Sequence, residues 1–374
     1  MRGLRRVILA AVGLLVAGTV QATAQPAAFA APVVYDLGIL PGQSWSEAYA
    51  INHEGYVVGR SGSQAVAWTP DLAIFRLPGL PGATASAIQS INYGRYGVGW
   101  SSVNGHLKAV QWPDLIGGGF ALAPNYDGDT MALAINDQYE VFGLIKPTQP
   151  TNSAVWYAAQ FTPSGVVRLN NPGYIVEDAV MGASNGPAGT NIIAGTTCRA
   201  VPCTFNYGYE SGIGPPTSGG IMALPSITGS SHAKATDVGD DGTQIVGGSA
   251  TADGKGSHVT SWTLGHNSRG WPTWTLHDLG APRTSDGSPG HAMGMHLNPQ
   301  GTVIVGAARY TTDFGTGFYW TSRTGFVLLP TLDQANPCRN TFGARDVNDT
   351  FKIVGISCKG GARHAVEWRD IPVP

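Results

Sequence analysis

The stretch Ile51-Asn52-His53-Glu54-Gly55-Tyr56-Val57-Val58-Gly59 decides the fold, because its pattern returns along the whole chain. An apolar residue and a turn former are followed by a short apolar run that ends in glycine. The run recurs at Tyr56–Gly59, Tyr96–Gly99, Glu140–Gly143, Ile192–Gly195, Gln244–Gly247, Val303–Gly306 and Lys352–Gly355. Successive glycines are 40 to 59 residues apart, a spacing that indicates a repeat protein.

Each repeat unit contains four short strand patterns separated by glycine and asparagine turns. In the first unit they cover residues 46–51, 56–60, 65–68 and 75–80. Four strands in a period of roughly 49 residues are typical of a β-propeller blade. A β-solenoid would need shorter coils, and the 3.6-residue periodicity of helical repeats is absent. The sequence therefore predicts an all-β protein, a single seven-bladed propeller over residues 33–374.

Two recurring residue types have a predicted structural role. The glycine that ends each apolar run is expected to allow a close backbone approach or a bulge. An aromatic residue ends the third strand of each unit, and we expect it to pack between neighbouring blades rather than to bind a ligand. These aromatic residues are Trp68, Trp112, Phe161, Phe205, Trp262, Trp320 and Trp368.

The two ends of the chain are complementary. The seventh unit stops soon after Trp368 without a clear fourth strand, while residues 33–38 form a strand pattern that precedes the first unit. Pairing of these two segments would close the ring and remove the exposed sheet edges.

Several motifs also resemble a known family. Residues 36–42 (DLGILPG), 48–52 (AYAIN) and 57–59 (VVG) are similar to the bacterial extracellular HAF repeat, as are the endings QAVAW at 64–68 and HAVEW at 364–368. The resemblance covers residues 33–369; it is strong in units one, two and seven and degraded in units three to six. Unit four, for example, has Ala183-Ser184-Asn185-Gly186 in place of the Ile-Asn turn. The resemblance implies secretion and propeller-like repeats, and it implies no reaction.

The N-terminal segment predicts export. A basic start, Met1 to Arg6, precedes an uncharged apolar stretch from Val7 to Val20, with small residues at two cleavage positions, Ala24 and Ala30. Roughly 14 apolar residues fall short of the ~20 that span a bilayer, which disfavours the alternative of a membrane anchor. We expect residues 1–30 to contain a cleaved signal peptide and the mature chain to be secreted or periplasmic.

Composition narrows the class of partner. Charged residues make up 12% of the chain, the formal net charge is −2 and the pI is near 6.5. These values provide no basic surface for nucleic acid or for an anionic membrane. We expect a monomer with no membrane span, no cofactor, and an extracellular glycan or protein as its partner.

Four cysteines in an exported chain indicate disulfides. Cys198 and Cys203 flank a short turn in the fourth unit, and Cys338 and Cys358 lie on either side of the Val347-Asn348 turn in the seventh. Each pair could face across a hairpin, so two local disulfides are predicted. Zinc binding is the alternative, but the spacing suits it poorly.

Common catalytic motifs are absent, including the nucleophile elbow, the HExxH helix and the phosphate-binding loop. When the units are aligned on the Ile-Asn turn, the position six residues before the apolar residue holds Asp129, Glu177, His232 and His291. Two histidines and two carboxylates at one mouth of a propeller channel could bind a metal or perform acid–base chemistry. A hydrated funnel of unrelated polar residues is the alternative.

Two tryptophans form a second candidate site. Trp271 and Trp274 lie in a long insertion between Trp262 and Leu279, where their rings could stack on sugars or could cap a blade.

Two functions follow from these observations. The lack of catalytic motifs favours a secreted, non-enzymatic binding propeller. The alternative is an exported polysaccharide hydrolase or lyase that uses Asp129, Glu177, His232 and His291 at the channel mouth.

Overall fold

The computed structural model describes residues 31–148, 156–169, 182–185, 192–197, 207–212, 221–228, 230, 232–282, 290–309, 315–333 and 343–372. Within these ranges one short 3-10 helix, Pro113–Leu115, accompanies 28 β-strands, which confirms the all-β prediction. No helix in the described ranges has the length and apolarity needed to cross a membrane. The predicted signal segment, residues 1–30, lies outside the described residues, as do Glu177, Cys198, Cys203 and Cys338.

The first three units are four-stranded antiparallel meanders, as the repeat pattern predicts. The first contains β2 (Ser46–Ile51), β3 (Val57–Ser61), β4 (Gln64–Trp68) and β5 (Ile74–Arg76). The second contains β6 (Ala83–Ile91), β7 (Gly97–Val103), β8 (His106–Trp112) and β9 (Phe120–Ala121). The third contains β10 (Gly128–Ile135), β11 (Val141–Pro147), β12 (Tyr157–Thr162) and β13 (Gly165–Arg168).

The next three units repeat this order. The fourth contains β14 (Gly182–Ala183), β15 (Ile192–Thr197), β16 (Tyr207–Gly212) and β17 (Ile221–Ala223). The fifth contains β18 (Ala233–Val238), β19 (Gln244–Ala250), β20 (Ser257–His266) and β21 (Pro272–Gly280). The sixth contains β22 (His291–Leu297), β23 (Ile304–Arg309), β24 (Gly315–Thr321) and β25 (Gly325–Leu328). One parallel pair, Ser257 with His291, joins the fifth and sixth units into an eight-stranded sheet.

The last unit combines both ends of the chain. It contains β26 (Ala344–Val347), β27 (Ile353–Lys359) and β28 (Ala362–Arg369), and its fourth strand is β1 (Val33–Gly38). β1 pairs antiparallel with β28, and Val34 lies opposite Trp368.

The first strand of a unit, here called the inner strand, contains a β-bulge at the same place in six units. The register shifts at the residue two positions before the apolar residue of the turn. The bulge brings two successive side chains onto one side of the strand. The bulged residues are Tyr49, Gln89, Leu133, Thr236, Met295 and Arg345.

The repeated glycine lies opposite this bulge. A Cβ on Gly99 would lie 2.0 Å from the carbonyl oxygen of Ala87 on the inner strand, so no side chain fits there. The same contact, at 1.9 to 2.2 Å, occurs at Gly59, Gly143, Gly247, Gly306 and Gly355. The predicted close approach and bulge are therefore confirmed at these positions.

The core lies between consecutive units. Trp112 is fully buried and packs with Ala50 of the first unit and Leu77 at the start of the second. Its indole Nε1 donates a hydrogen bond to the carbonyl oxygen of Pro78 at 2.8 Å. Trp262 and Trp368 make the same bond to a proline that follows a buried leucine. The prediction that these aromatic residues belong to the core is confirmed for them; Phe205 lies outside the described residues.

Polar contacts also join the units. The backbone N–H of Ala365 in the last unit donates to Ser46 Oγ of the first at 2.9 Å. Ala65 and Ala109 make the equivalent bond to Ser86 and Thr130 of the following units, at 3.0 and 2.7 Å.

One cysteine is described. Cys358 lies on β27 and is 2% exposed. Because the other three cysteines lie outside the described residues, the predicted disulfide pairs stay a prediction.

Candidate ligand-binding site on the axis

An asparagine begins the turn after most inner strands and joins one unit to the next. Asn92 Oδ1 accepts the backbone N–H of Tyr96 within its own turn at 3.0 Å. Its side-chain amide donates to the carbonyl oxygen of Asn136 in the next unit at 3.2 Å. The same inter-unit bond runs from Asn348 to Asn52, from Asn52 to Asn92 and from Asn136 to Ser184. These bonds fix the turns relative to each other.

A cavity of ≈ 200 Å³, here called the axial cavity, lies where these turns meet. The last residues of the inner strands and the turns of all seven units line it. The residue that follows the asparagine position of each unit is at its edge. These seven rim residues are His53, Tyr93, Asp137, Asn185, Asp240, Pro299 and Asp349.

One side of the rim is an aromatic pair bonded to a carboxylate. The rings of His53 and Tyr93 stack with their centroids 4.9 Å apart and an interplanar angle of 15°. Asp349 Oδ2 lies 2.5 Å from His53 Nδ1 and accepts the Tyr93 hydroxyl at 3.0 Å. Burial and the bond to Asp349 raise the pKa of Tyr93 to about 12. The phenol therefore stays protonated at neutral pH.

The other side of the rim contains two carboxylates bridged by an amide. Asn185 Nδ2 donates to Asp137 Oδ2 at 2.9 Å, and the backbone N–H of Asp137 donates to Asn185 Oδ1 at 2.7 Å. Asp240 also bonds the Asn185 side chain. Burial and the charge of Asp137 outweigh that bond and raise the pKa of Asp240 to about 6.

A second charged cluster lies deeper, on three successive inner strands. His296 Nδ1 is 3.3 Å from Asp237 Oδ2 and 3.6 Å from Asp346 Oδ1. The backbone N–H groups of Leu297 and Ile51 donate to Asp237 and Asp346 at 2.9 and 2.8 Å. Burial alone would lower the pKa of His296, but the two carboxylates outweigh it and raise this pKa to about 9.

Among the charged side chains that line the described part of the axial cavity, carboxylates outnumber cations. There are five aspartates, against Arg345 and the protonated His296, and one of the aspartates, Asp349, is paired with His53. This excess of carboxylates produces a negative potential that disfavours anionic ligands.

The residues proposed from the sequence lie away from this cavity. Asp129 is at the beginning of β10 and accepts the Leu107 backbone N–H while it pairs with His106, both at 3.1 Å. His232 precedes β18, and His291 is the first residue of β22; both are exposed. The described lining of the axial cavity includes none of these three side chains, because it contains the ends of the inner strands rather than their beginnings.

No metal-binding cluster accompanies these residues. Within the ranges that the structure describes, no three His, Cys, Asp or Glu side chains are grouped so that they could hold a metal ion.

The sequence did contain a signal for the rim. In the alignment of the units, the rim residues occupy the position directly after the asparagine, where His53, Tyr93, Asp137 and Asp349 are all polar or aromatic. Sequence reasoning missed them because turn residues of this kind are also explained by turn geometry.

The two candidate tryptophans have different environments. Trp271, directly before β21 in the β20–β21 hairpin, is 67% exposed. Trp274 is 8% exposed and packs with Leu264 and Leu276 in the core between the fourth and fifth units. Only Trp271 of this pair presents its ring to solvent.

Comparison with known proteins identifies the fold type. No family model and no curated protein matches the chain. An oligogalacturonate lyase in complex with manganese is 10% identical over 90% of this chain and 92% of that chain, with a TM-score of 0.56. A streptogramin B lyase is 11% identical over 90% and 97%, with a TM-score of 0.54. A virginiamycin B lyase from Staphylococcus aureus is 13% identical over 90% and 99%, with a TM-score of 0.50. The fold is of the β-propeller type, and at these identities the likeness extends to the fold alone.

Proposed function

We propose that this chain is a secreted or periplasmic, non-enzymatic binding protein that recognises an extracellular glycan or protein at the axial cavity. In this proposal it is a seven-bladed β-propeller of the HAF-repeat type, and β1 closes the ring. The seven turns that meet at one cavity support the blade count, with the eight-stranded sheet counted as two blades. The pairing of β1 with β28 supports the closure.

One observation carries the proposal of binding. Every unit contributes one rim residue to the same cavity, and six of the seven are polar or aromatic. A concave site with a few converging polar groups is the usual form of a ligand site. Because loops at one end of a propeller vary independently of its core, recognition is expected there.

The binding proposal is tested with the purified exported protein on a glycan array and in a screen of secreted proteins. A ligand is expected that loses at least tenfold in affinity with Tyr93→Ala. The matched control is Tyr35→Ala on β1, an aromatic residue away from the axial cavity. If the affinity falls with Trp271→Ala and not with Tyr93→Ala, the binding site is the β20–β21 hairpin instead.

The second candidate function, a polysaccharide hydrolase or lyase, is favoured by one observation. The pKa of Asp240 is raised to about 6, beside the carboxylate of Asp137. A carboxyl group that titrates near neutral pH can act as a general acid. Turnover of polysaccharides that is abolished by Asp240→Asn would establish this function at the axial cavity. Turnover that instead depends on Asp129, His232 or His291 would place it at the other end of the inner strands.

A further inference from the structure

We propose that the axial cavity binds the ammonium group of a small organic amine. This inference rests on the proposed binding function and specifies the chemical class of the ligand. Three features of the cavity carry it: the arrangement of charge, the aromatic wall and the size.

The negative charge is concentrated at the rim. Asp137, Asp240 and Asp349 are rim residues, whereas Arg345 lies four residues before Asp349 along the chain, on β26. The Arg345 guanidinium lies 6.0 Å from the centroid of the Tyr49 ring, and neither residue belongs to the rim. The rim therefore presents three carboxylates and no arginine or lysine to a ligand that enters.

The rim carboxylates belong to one connected network around Tyr93. The backbone N–H of Tyr93 donates to Asp137 Oδ1 at 2.9 Å, and its hydroxyl donates to Asp349 Oδ2 at 3.0 Å. Asn185 connects Asp137 to Asp240. A primary ammonium group has three N–H donors and no acceptor, so it matches a rim that offers mainly acceptors.

Exposed aromatic rings lie beside these acceptors. Tyr93 is 45% exposed, although its ring stacks on His53. Aromatic faces attract cations as well as apolar groups, and exposed aromatic residues at a cavity indicate a binding surface.

The size limits the ligand. A volume of ≈ 200 Å³ is below the ~300–1,000 Å³ that enclose a drug-sized molecule. The cavity therefore admits a small amine or the amine end of a longer molecule.

The test is calorimetric titration of the full-length exported protein with three probes of similar shape: 1,5-diaminopentane, 1,5-pentanediol and glutarate. The diamine is expected to bind, with an affinity at least tenfold above that of the neutral diol and with no detectable binding of the dianion. Raising the salt concentration should weaken the binding of the diamine, because the interaction is electrostatic. A diol that binds as tightly as the diamine, or a diamine that does not bind, overturns the inference.

Variants locate the site. Asp137→Asn and Asp240→Asn are each expected to weaken diamine binding at least fivefold. The matched control is Asp278→Asn, which removes a carboxylate that pairs with His258 on β20 and does not line the cavity. Equal losses in all three variants would mean a non-specific effect of net charge and would overturn the inference. If the amine fails but another ligand depends on Tyr93, the ligand class is wrong and the proposed binding function stands.

Discussion

His296 shows how a single residue can tie three units together. Its imidazole lies between carboxylates from the fifth and seventh units, and each carboxylate also accepts a backbone N–H from the next inner strand. Charged groups in such an environment are tolerated only when they are paired and hydrogen-bonded. The cluster therefore fixes the relative positions of inner strands that do not pair with one another.

The charge of His296 predicts a pH dependence of stability. The pKa of His296 is about 9 in the folded protein and about 6.5 in the unfolded chain. The stabilisation that its charge provides is therefore fully present below pH 6.5 and is lost as the pH rises through 9. His296→Gln is expected to lower the free energy of unfolding by about 2–3 kcal/mol at pH 6 and by much less at pH 10. Urea titrations of both proteins across this range measure the difference. A difference that does not change with pH would contradict the role of the charge.

The asparagine turns allow a matched comparison. Asn348 and Asn298 both bond their own turns, but only the amide of Asn348 reaches the next unit, where it bonds the Asn52 carbonyl oxygen at 3.0 Å. The Asn298 amide bonds Gln300 and Thr302 of its own turn. Asn348→Ala is therefore expected to cost about 1–2 kcal/mol more in the free energy of unfolding than Asn298→Ala. An equal or smaller cost, measured by urea unfolding, would show that the inter-unit bond adds nothing.

At the scale of residues, the sequence predicted the turn formers and the aromatic core but not the partners of polar side chains. Asn52, Asn92 and Asn136 were recognisable as turn residues, because asparagine has that property locally. Their bonds to the next unit depend on how units pack, and a single sequence does not encode that arrangement as a local pattern. The cluster around His296 was missed for the same reason.

At the scale of strands, the bulge of the inner strand requires the glycine that lies opposite it. Gly99→Ala would place a methyl group 2.0 Å from the Ala87 carbonyl oxygen and 2.9 Å from Ile88 Cα. Because both neighbours are backbone atoms of a paired strand, the variant is expected to lose about 3 kcal/mol or more of stability. Gly118→Ala is the control: that position is exposed, with no atom within 4 Å of the added Cβ, so we expect a change within about 0.5 kcal/mol. Thermal and urea unfolding of the two variants test this; similar stabilities would contradict it.

The repeat period predicted the strands well, because apolar runs and glycine turns recur in every unit. The sequence predicted the bulge only as one of two explanations for the glycine that ends each apolar run; the other was a close backbone approach. Its residues, such as Tyr49, Leu133 and Arg345, share no side-chain chemistry, since a bulge is a property of backbone register. Simple alternation along the strand therefore could not identify the side chains that reach the cavity.

At the scale of the whole molecule, two of the sequence motifs near the chain ends have a visible structural role. His364 of the HAVEW ending pairs with Asp36 of the DLG motif, with Nδ1 2.9 Å from Oδ1, across the β28–β1 contact. His258 and Asp278 repeat this pair across β20 and β21, at 2.8 Å. In both cases the aspartate also accepts the N–H of the glycine two residues later. These motif residues thus connect the third and fourth strands of a unit.

The last prediction concerns the contact between the two ends of the chain. Without residues 31–38, β28 would become an unpaired edge strand, and such edges promote association with other chains. The last unit would still contact the first through the Asn348–Asn52 and Ala365–Ser46 bonds, which do not involve β1. The truncated protein is therefore expected to fold but to aggregate and to melt at a lower temperature than the intact mature chain. Asp36→Asn is the control, because it weakens the pair with His364 and keeps the strand, so we expect a smaller loss of stability than in the truncated protein and no aggregation. Light scattering and thermal unfolding distinguish the three proteins. If the truncated chain stays as soluble and as heat-resistant as the intact one, β1 does not close the ring, and the inter-unit bonds of the inner strands hold the last unit against the first without it.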